Sequence, residues 1–241
     1  MIGLGGFEII LDGFARALQI LSSGDQEILG ITLLSLRVSL TATLLGAAFG
    51  IPLGFLIARK DFHGRSVVTT IINTLMGLPP VVVGLVVYLF LSASGPLGFL
   101  SLLYTPEAMI LAQMILTFPI VCGITISSIL SLSPKLKETL ASLSAPPSWE
   151  AMVLLNESRL GLITALIAAF GAAISEVGAI MMVGGNLLGY TRALTTAIML
   201  YTNMGEFATA IALGIILLLI AFGVNLFLTY LQMRSRVRRT T

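Results

Sequence analysis

The chain has 241 residues, of which 57% are hydrophobic and 10% charged, with a formal net charge of +2. A water-soluble domain carries about 25% charged residues, so this chain, with a mean hydropathy of +1.04, cannot cover itself in solvent and reads as lipid-embedded. The small net charge argues against nucleic-acid binding, and a single cysteine, Cys122, and a single histidine, His63, exclude an intramolecular disulfide and a multi-histidine metal site.

Cys122 reads as a small buried apolar residue and His63 as a solvated loop residue. No long polar linker divides the apolar blocks, so one domain is expected. No basic stretch precedes the first apolar run, so no secretory signal is expected. In residues 7–21, Glu8, Asp12, Arg16 and Gln19 recur at helical spacing, with Phe7, Leu11, Phe14, Leu18 and Leu21 on the other side. That pattern predicts an amphipathic helix lying along the bilayer surface, followed by a turn over 22–27. Residues 1–27 are thus set apart from a transmembrane domain over 28–233 and a basic tail over 234–241.

A bilayer core of about 30 Å needs roughly 20 apolar residues per helix. Five runs qualify: 33–58, 66–91, 107–130, 160–183 and 207–231. They are continuous rather than alternating, which favours helices over a barrel. The expected fold class is therefore all-α integral membrane, with five transmembrane helices and an N-terminal interfacial helix. Basic residues mark the cytoplasmic side. Arg59, Lys60 and Arg65 lie in the first loop, Lys135, Lys137 and Arg159 in the third, and Arg234, Arg236, Arg238 and Arg239 in the tail. The second loop, 92–106, has no basic residue and the fourth only Arg192. A multi-pass plasma-membrane protein is expected, with its N-terminus outside and its C-terminus in the cytoplasm.

Four features carry candidate chemistry. Pro79 and Pro80 remove backbone donors and predict a kink or break in the second run, either for packing or as a bend lining a pathway. The loop over 131–159 keeps Leu136, Leu140, Leu143, Trp149, Met152, Val153 and Leu154 among its charges. Trp149 there is an interfacial anchor or part of a docking surface for a cytoplasmic partner. Glu176 is the one ionisable residue well inside a run, where an acid costs about 2.5–3.5 kcal/mol. Gly161, Ala165, Ala168, Ala172 and Ala179 share its helical face, so Glu176 is expected to be packed or to gate a path. Lastly, Gly184, Gly185 and Asn186, with Thr191, Arg192, Thr195 and Thr196, form an ordinary external turn or a donor-rich mouth for an anion. Beside a dianion Glu176 is repulsive, so Arg192 is the better candidate for attracting one. No GxxxxGK pattern occurs, so the chain has no phosphate loop for ATP. A nucleophile–base pair or metal cluster for an intramembrane enzyme is also missing.

The run ETLASLSAPPSWEAMVLLNESRLGL at 138–162 resembles the cytoplasmic loop of ABC importer permeases. Glu138 stands at that pattern's acidic start, and Ser144 where glycine is usual, with Pro146 and Pro147 close behind. SEVGAIMMVGGN at 175–186 and TRALTTAI at 191–198 resemble the permeases of tungstate-type importers. The likeness continues in LSLRVSLTATL at 34–44, GIPLGF at 50–55, GLPPVVVGLVVYL at 77–89, GPLG at 95–98 and TPEAM at 105–109. Molybdate permeases more often place phenylalanine where Val177 stands, and relatives commonly carry a basic residue at the position of Ala172.

The resemblance implies a type I ABC importer permease fold working as a homodimer. Two cytoplasmic ATPase subunits would use the ATP, and an external oxyanion-binding protein would deliver tungstate, or alternatively molybdate. No cofactor is expected on the chain itself. Glu138, Ala141, Ser144, Ala145, Trp149 and Glu150 would couple to the ATPase. Pro79, Pro80, Glu176, Gly184, Gly185, Asn186, Thr191, Arg192, Thr195 and Thr196 would line or gate the path. The competing expectation is an ion-gradient-driven transporter or channel with Glu176 as its protonation site.

Overall fold

The structure of the protein, a computed structural model, describes residues 6–143 and 146–237. Among these, all long regular elements are helices: α1 (Gly6–Ser23), α2 (Gln26–Arg59), α3 (Arg65–Leu75), α4 (Pro80–Leu91), α5 (Pro106–Leu130), α6 (Pro134–Ser142), α7 (Pro147–Glu157), α8 (Arg159–Ile174), α9 (Gly178–Gly184), α10 (Leu194–Asn203) and α11 (Phe207–Val237). One 3₁₀ turn, Gly98–Leu100, precedes α5. Helices α2, α5 and α11 are each long and apolar enough to cross a membrane. Two bent pairs, α3 with α4 and α7 with α8, raise the count to five if each is one crossing.

Residues Gly6–Ser23 are helical, and the turn after them is shorter than 22–27. Gly24 at φ +64° turns the chain, and Asp25 Oδ1 accepts the N–H groups of Glu27 (2.9 Å) and Ile28 (3.4 Å), so α2 starts at once. Small residues rather than the polar stripe face inward on α1: Ala17 is buried, and Gly13 sits where a Cβ would overlap Ile211 of α11. Phe7, Leu11, Phe14 and Leu18 are exposed.

The break expected at Pro79 and Pro80 is present, with α3 and α4 bent by 94°. Pro79 adopts an extended ψ of 122° and Pro80 takes the first helical position of α4, where no N–H is needed. Pro52 and Pro119, by contrast, lie inside α2 and α5 without ending them.

The run 160–183 is not one helix. Helix α8 stops at Ile174 and α9 starts at Gly178, so Glu176 occupies a break and not the middle of a helix. The expected small-residue face is also rotated. Ala165, Ala169 and Ala173 are buried, whereas Ala168 and Ala172 are exposed. The packed stripe follows strict four-residue steps from Gly161, whose Cβ would overlap Ser128 of α5.

The described residues cluster into two compact units, one within 6–42, 79–113 and 173–225 and the other within 43–78, 114–143, 146–172 and 226–237. In the first unit, Ile31, Leu194, Ala197, Leu213 and Ile216 form a core between α2, α10 and α11. Helix α9 lies so close to α4 that a Cβ on Gly84 would fall 2.7 Å from the Ala179 Cα. In the second unit, Gly46, Gly50 and Gly54 form a glycine seam on α2 against α5. A Cβ on Gly54 would stand 2.7 Å from the Cys122 carbonyl oxygen. Small residues at four-residue steps are what lets two helices in lipid approach to backbone contact.

Candidate functional site

The first candidate site is the break after α8. Ending a helix inside an apolar segment strands carbonyls at one end and N–H groups at the other. Glu176 resolves the second problem: its carboxylate accepts the N–H of Ala179 at 2.8 Å (Oε1) and of Ile180 at 3.1 Å (Oε2). Its side chain thus caps α9 from the residue before the N-cap position, Val177, where negative charge also meets the positive end of the helix dipole. Gln113 Nε2 of α5 donates to the Ala173 carbonyl at 2.9 Å, and Thr195 Oγ1 of α10 donates to the Glu176 carbonyl at 2.9 Å. Three side chains from three elements therefore hold the discontinuity. Glu176 is only 8% exposed, and its cost of burial is met by hydrogen bonds rather than by an ion pair.

The second is the turn over 185–193. Gly185 takes φ +70° and Asn186 φ +53°, ending α9. The Gly185 N–H donates back to Met181, so the glycines close a helix and do not present free donors. Tyr104 ties the 92–105 loop to this end: its N–H donates to the Val183 carbonyl at 2.8 Å, and its ring fills the space beside Gly185. The threonine hydroxyls are likewise committed. Thr191 donates to Gly184, Thr195 to Glu176 and Thr196 to Ala193. These residues come together as expected, but as a hydrogen-bonded scaffold rather than a row of open donors. Ser35 on α2, which sequence reading did not single out, accepts the Leu194 N–H at 2.8 Å and pins the start of α10.

Arg192 differs from its neighbours. The Leu187 carbonyl accepts the N–H groups of Tyr190, Thr191 and Arg192, which fixes the backbone. The Arg192 Nε is buried and has no hydrogen-bond partner. The side chain borders a cavity of about 720 Å³ in the first unit, between α2 and the 188–192 turn.

The third is the segment 134–157 of the second unit. Leu140 and Leu154 point inward and are buried with Phe55, Ile57 and Ala58 of α2, Ile72 of α3 and Ile126 and Ile129 of α5. Leu143, Trp149 and Met152 point out, at 63%, 42% and 61% exposure. This division explains why the loop keeps so many apolar residues: Leu136, Leu140, Val153 and Leu154 seat it, and the other three are offered outward. Glu138 is exposed. Glu150 is not free, because its Oε2 pairs with Arg59 Nη2 at 2.6 Å and anchors α7 to the end of α2. Ala141 lies in α6, while Ser144 and Ala145 fall outside the described residues, as do Arg238 and Arg239 of the basic tail.

The sequence profile of the family described as "binding-protein-dependent transport system inner membrane component" matches residues 50–237. The tungstate uptake system permease protein TupB of Peptoclostridium acidaminophilum is 41% identical over 93% of this chain and 99% of its own length. TupB of Campylobacter jejuni is 38% identical over 95% of each. Among solved structures, a bacterial alginate ABC transporter in complex with an alginate-pentasaccharide-bound periplasmic protein aligns with a TM-score of 0.71. Its identity is 21%, over 92% of this chain and 82% of that one. The fold is that of a type I ABC importer permease.

Proposed function

Because this chain belongs to the family of binding-protein-dependent transport system inner membrane components, we propose that it forms half of the path of an ATP-driven importer for tungstate, with molybdate as the competing oxyanion. The observation that carries this reading is the likeness, along almost the whole chain, to two tungstate uptake permeases. The chain is a permease subunit; a separate ATPase subunit hydrolyses the ATP.

The path is built by two copies of the chain, each with five crossings, and α1 lies along the outer surface. The basic loops at 59–65 and 131–159 and the C-terminus face the cytoplasm. There the outward-pointing Leu143, Trp149 and Met152 give an ATPase an aromatic and aliphatic anchor of the kind that dominates binding energy. Closure of the ATPases on ATP moves this segment, and the path alternates between inward- and outward-facing states. An external binding protein delivers the anion to the opposite side. Pro79, Pro80 and Glu176 shape bends along the path, and Arg192 stands at its outer mouth. The ion-gradient reading is not favoured. A proton carried by Glu176 would have to displace one of the two backbone hydrogen bonds that its carboxylate accepts on each cycle.

Membrane vesicles containing this chain, its ATPase and its binding protein should accumulate tungstate only when ATP is supplied. Uptake that follows an imposed proton gradient and ignores ATP would reject the proposal.

A further inference from the structure

We propose that the permease chain itself carries a binding site for a tetrahedral oxyanion, in the cavity bordered by Arg37 and Arg192. The cavity, about 720 Å³, lies wholly within the first unit, between the N-terminal half of α2 and the 188–192 turn. Two guanidinium side chains reach it from different elements. Arg192 is the stronger group, because it lines the cavity while only partly exposed, so less water screens its charge. Arg37 sits about three turns into α2 on the same cavity, with only a loose partner, Glu107 at 3.6 Å, and both side chains are more than half exposed. A guanidinium offers planar, paired donors that match the edge of a tetrahedral oxyanion. Glu27 also lines the cavity and opposes anion binding, so the site is tuned to hold an anion weakly. Apart from Gln26 and Tyr190 the remaining wall is apolar, with Ile31, Leu34 and Leu188, which lowers the local dielectric and strengthens the arginine contacts.

Weak binding here suits transport, since a site on the way must release its cargo. The identity of the cargo rests on the proposed function, but the oxyanion chemistry does not. A free anion and a phospholipid phosphate present the same tetrahedral oxygens, and the two sources separate experimentally.

The full-length permease, assembled with its ATPase in nanodiscs of phosphatidylcholine, is titrated with sodium tungstate by calorimetry. Saturable binding is expected, weakened about tenfold or more by Arg192→Gln and several-fold by Arg37→Gln, with Arg192→Lys in between. Glu27→Gln should tighten binding several-fold, an effect of opposite sign that misfolding does not produce. Retention of phosphatidylglycerol by the wild type, lost in Arg192→Gln, would support the same site filled from the lipid. Absence of both tungstate and lipid binding, or binding untouched by all three charge-removing variants, overturns the proposal. Tungstate binding without ATP-driven uptake would instead reject the importer's substrate and leave this site standing.

Discussion

At the scale of single residues, Glu176 is the clearest case of a side chain whose role depends on where the helix ends. An acid in the middle of an apolar run invites a reading as a proton carrier or a gate. At the start of α9 the same carboxylate satisfies two N–H groups that would otherwise be stranded. Removing a partner of a buried donor costs about 1–3 kcal/mol. Glu176→Ala should therefore lower the thermal unfolding midpoint of the detergent-solubilised protein. Glu176→Gln, which keeps one carbonyl acceptor, should fall between it and the wild type. In vesicles, Glu176→Gln should keep ATP-driven uptake measurable, because a cap can be weakened where a proton carrier cannot. An equal loss of stability for both variants would show that the hydrogen-bond geometry does not control this position. The sequence made Glu176 conspicuous but hid its function. Residues 160–183 contain no proline and no turn cluster at 175–177, so hydropathy runs through the break unmarked. The cue available was the acid itself, two residues ahead of Gly178, since an acceptor at that spacing caps a new helix.

At the scale of elements, packing in this chain is governed by where backbones touch. Hydropathy located α2, α5 and α11 well because length and apolarity suffice for a single straight crossing. It also flagged Pro79 and Pro80, yet it gave no means of telling them from Pro52 and Pro119, which the surrounding helices absorb. The periodic alanines on α8 suggest a face that mixes three- and four-residue steps. The true contact stripe keeps to four-residue steps, the row that interlocks with a neighbouring helix. The same spacing is visible in Gly46, Gly50 and Gly54, where the seam meets backbone atoms of α5. Gly54→Ala should push α2 and α5 apart and destabilise the protein by about 1–3 kcal/mol. Gly223→Ala on α11 makes the matching control. No atom lies within 4 Å of its added Cβ, and removing a flexible residue from a helix interior stabilises by up to about 1 kcal/mol. Opposite shifts of the unfolding midpoint would confirm that contact, and not glycine content, sets the cost.

At the scale of the whole molecule, the charge distribution and the exposed apolar cluster make one joint statement about orientation. Arg59, Lys60, Arg65, Lys135 and Lys137 belong to the same unit as Trp149 and Met152. Tyr190 and Arg192 belong to the other unit. Basic residues resist translocation during insertion, so the Trp149 segment should face the cytoplasm and the Tyr190 turn the opposite side. This joins two arguments that are independent in origin, one from insertion energetics and one from the need of an ATPase for an apolar foothold. Both Ser148 and Tyr190 are exposed, and Cys122 is buried, so single cysteines can report on each side. With Cys122 replaced by alanine, Tyr190→Cys should react with an impermeant maleimide in cells whose outer barrier is open. Ser148→Cys should react only after the inner membrane is permeabilised. Labelling of Ser148→Cys in intact inner membranes would place the apolar foothold out of reach of any ATP-hydrolysing partner, and the importer reading would then lose its energy source.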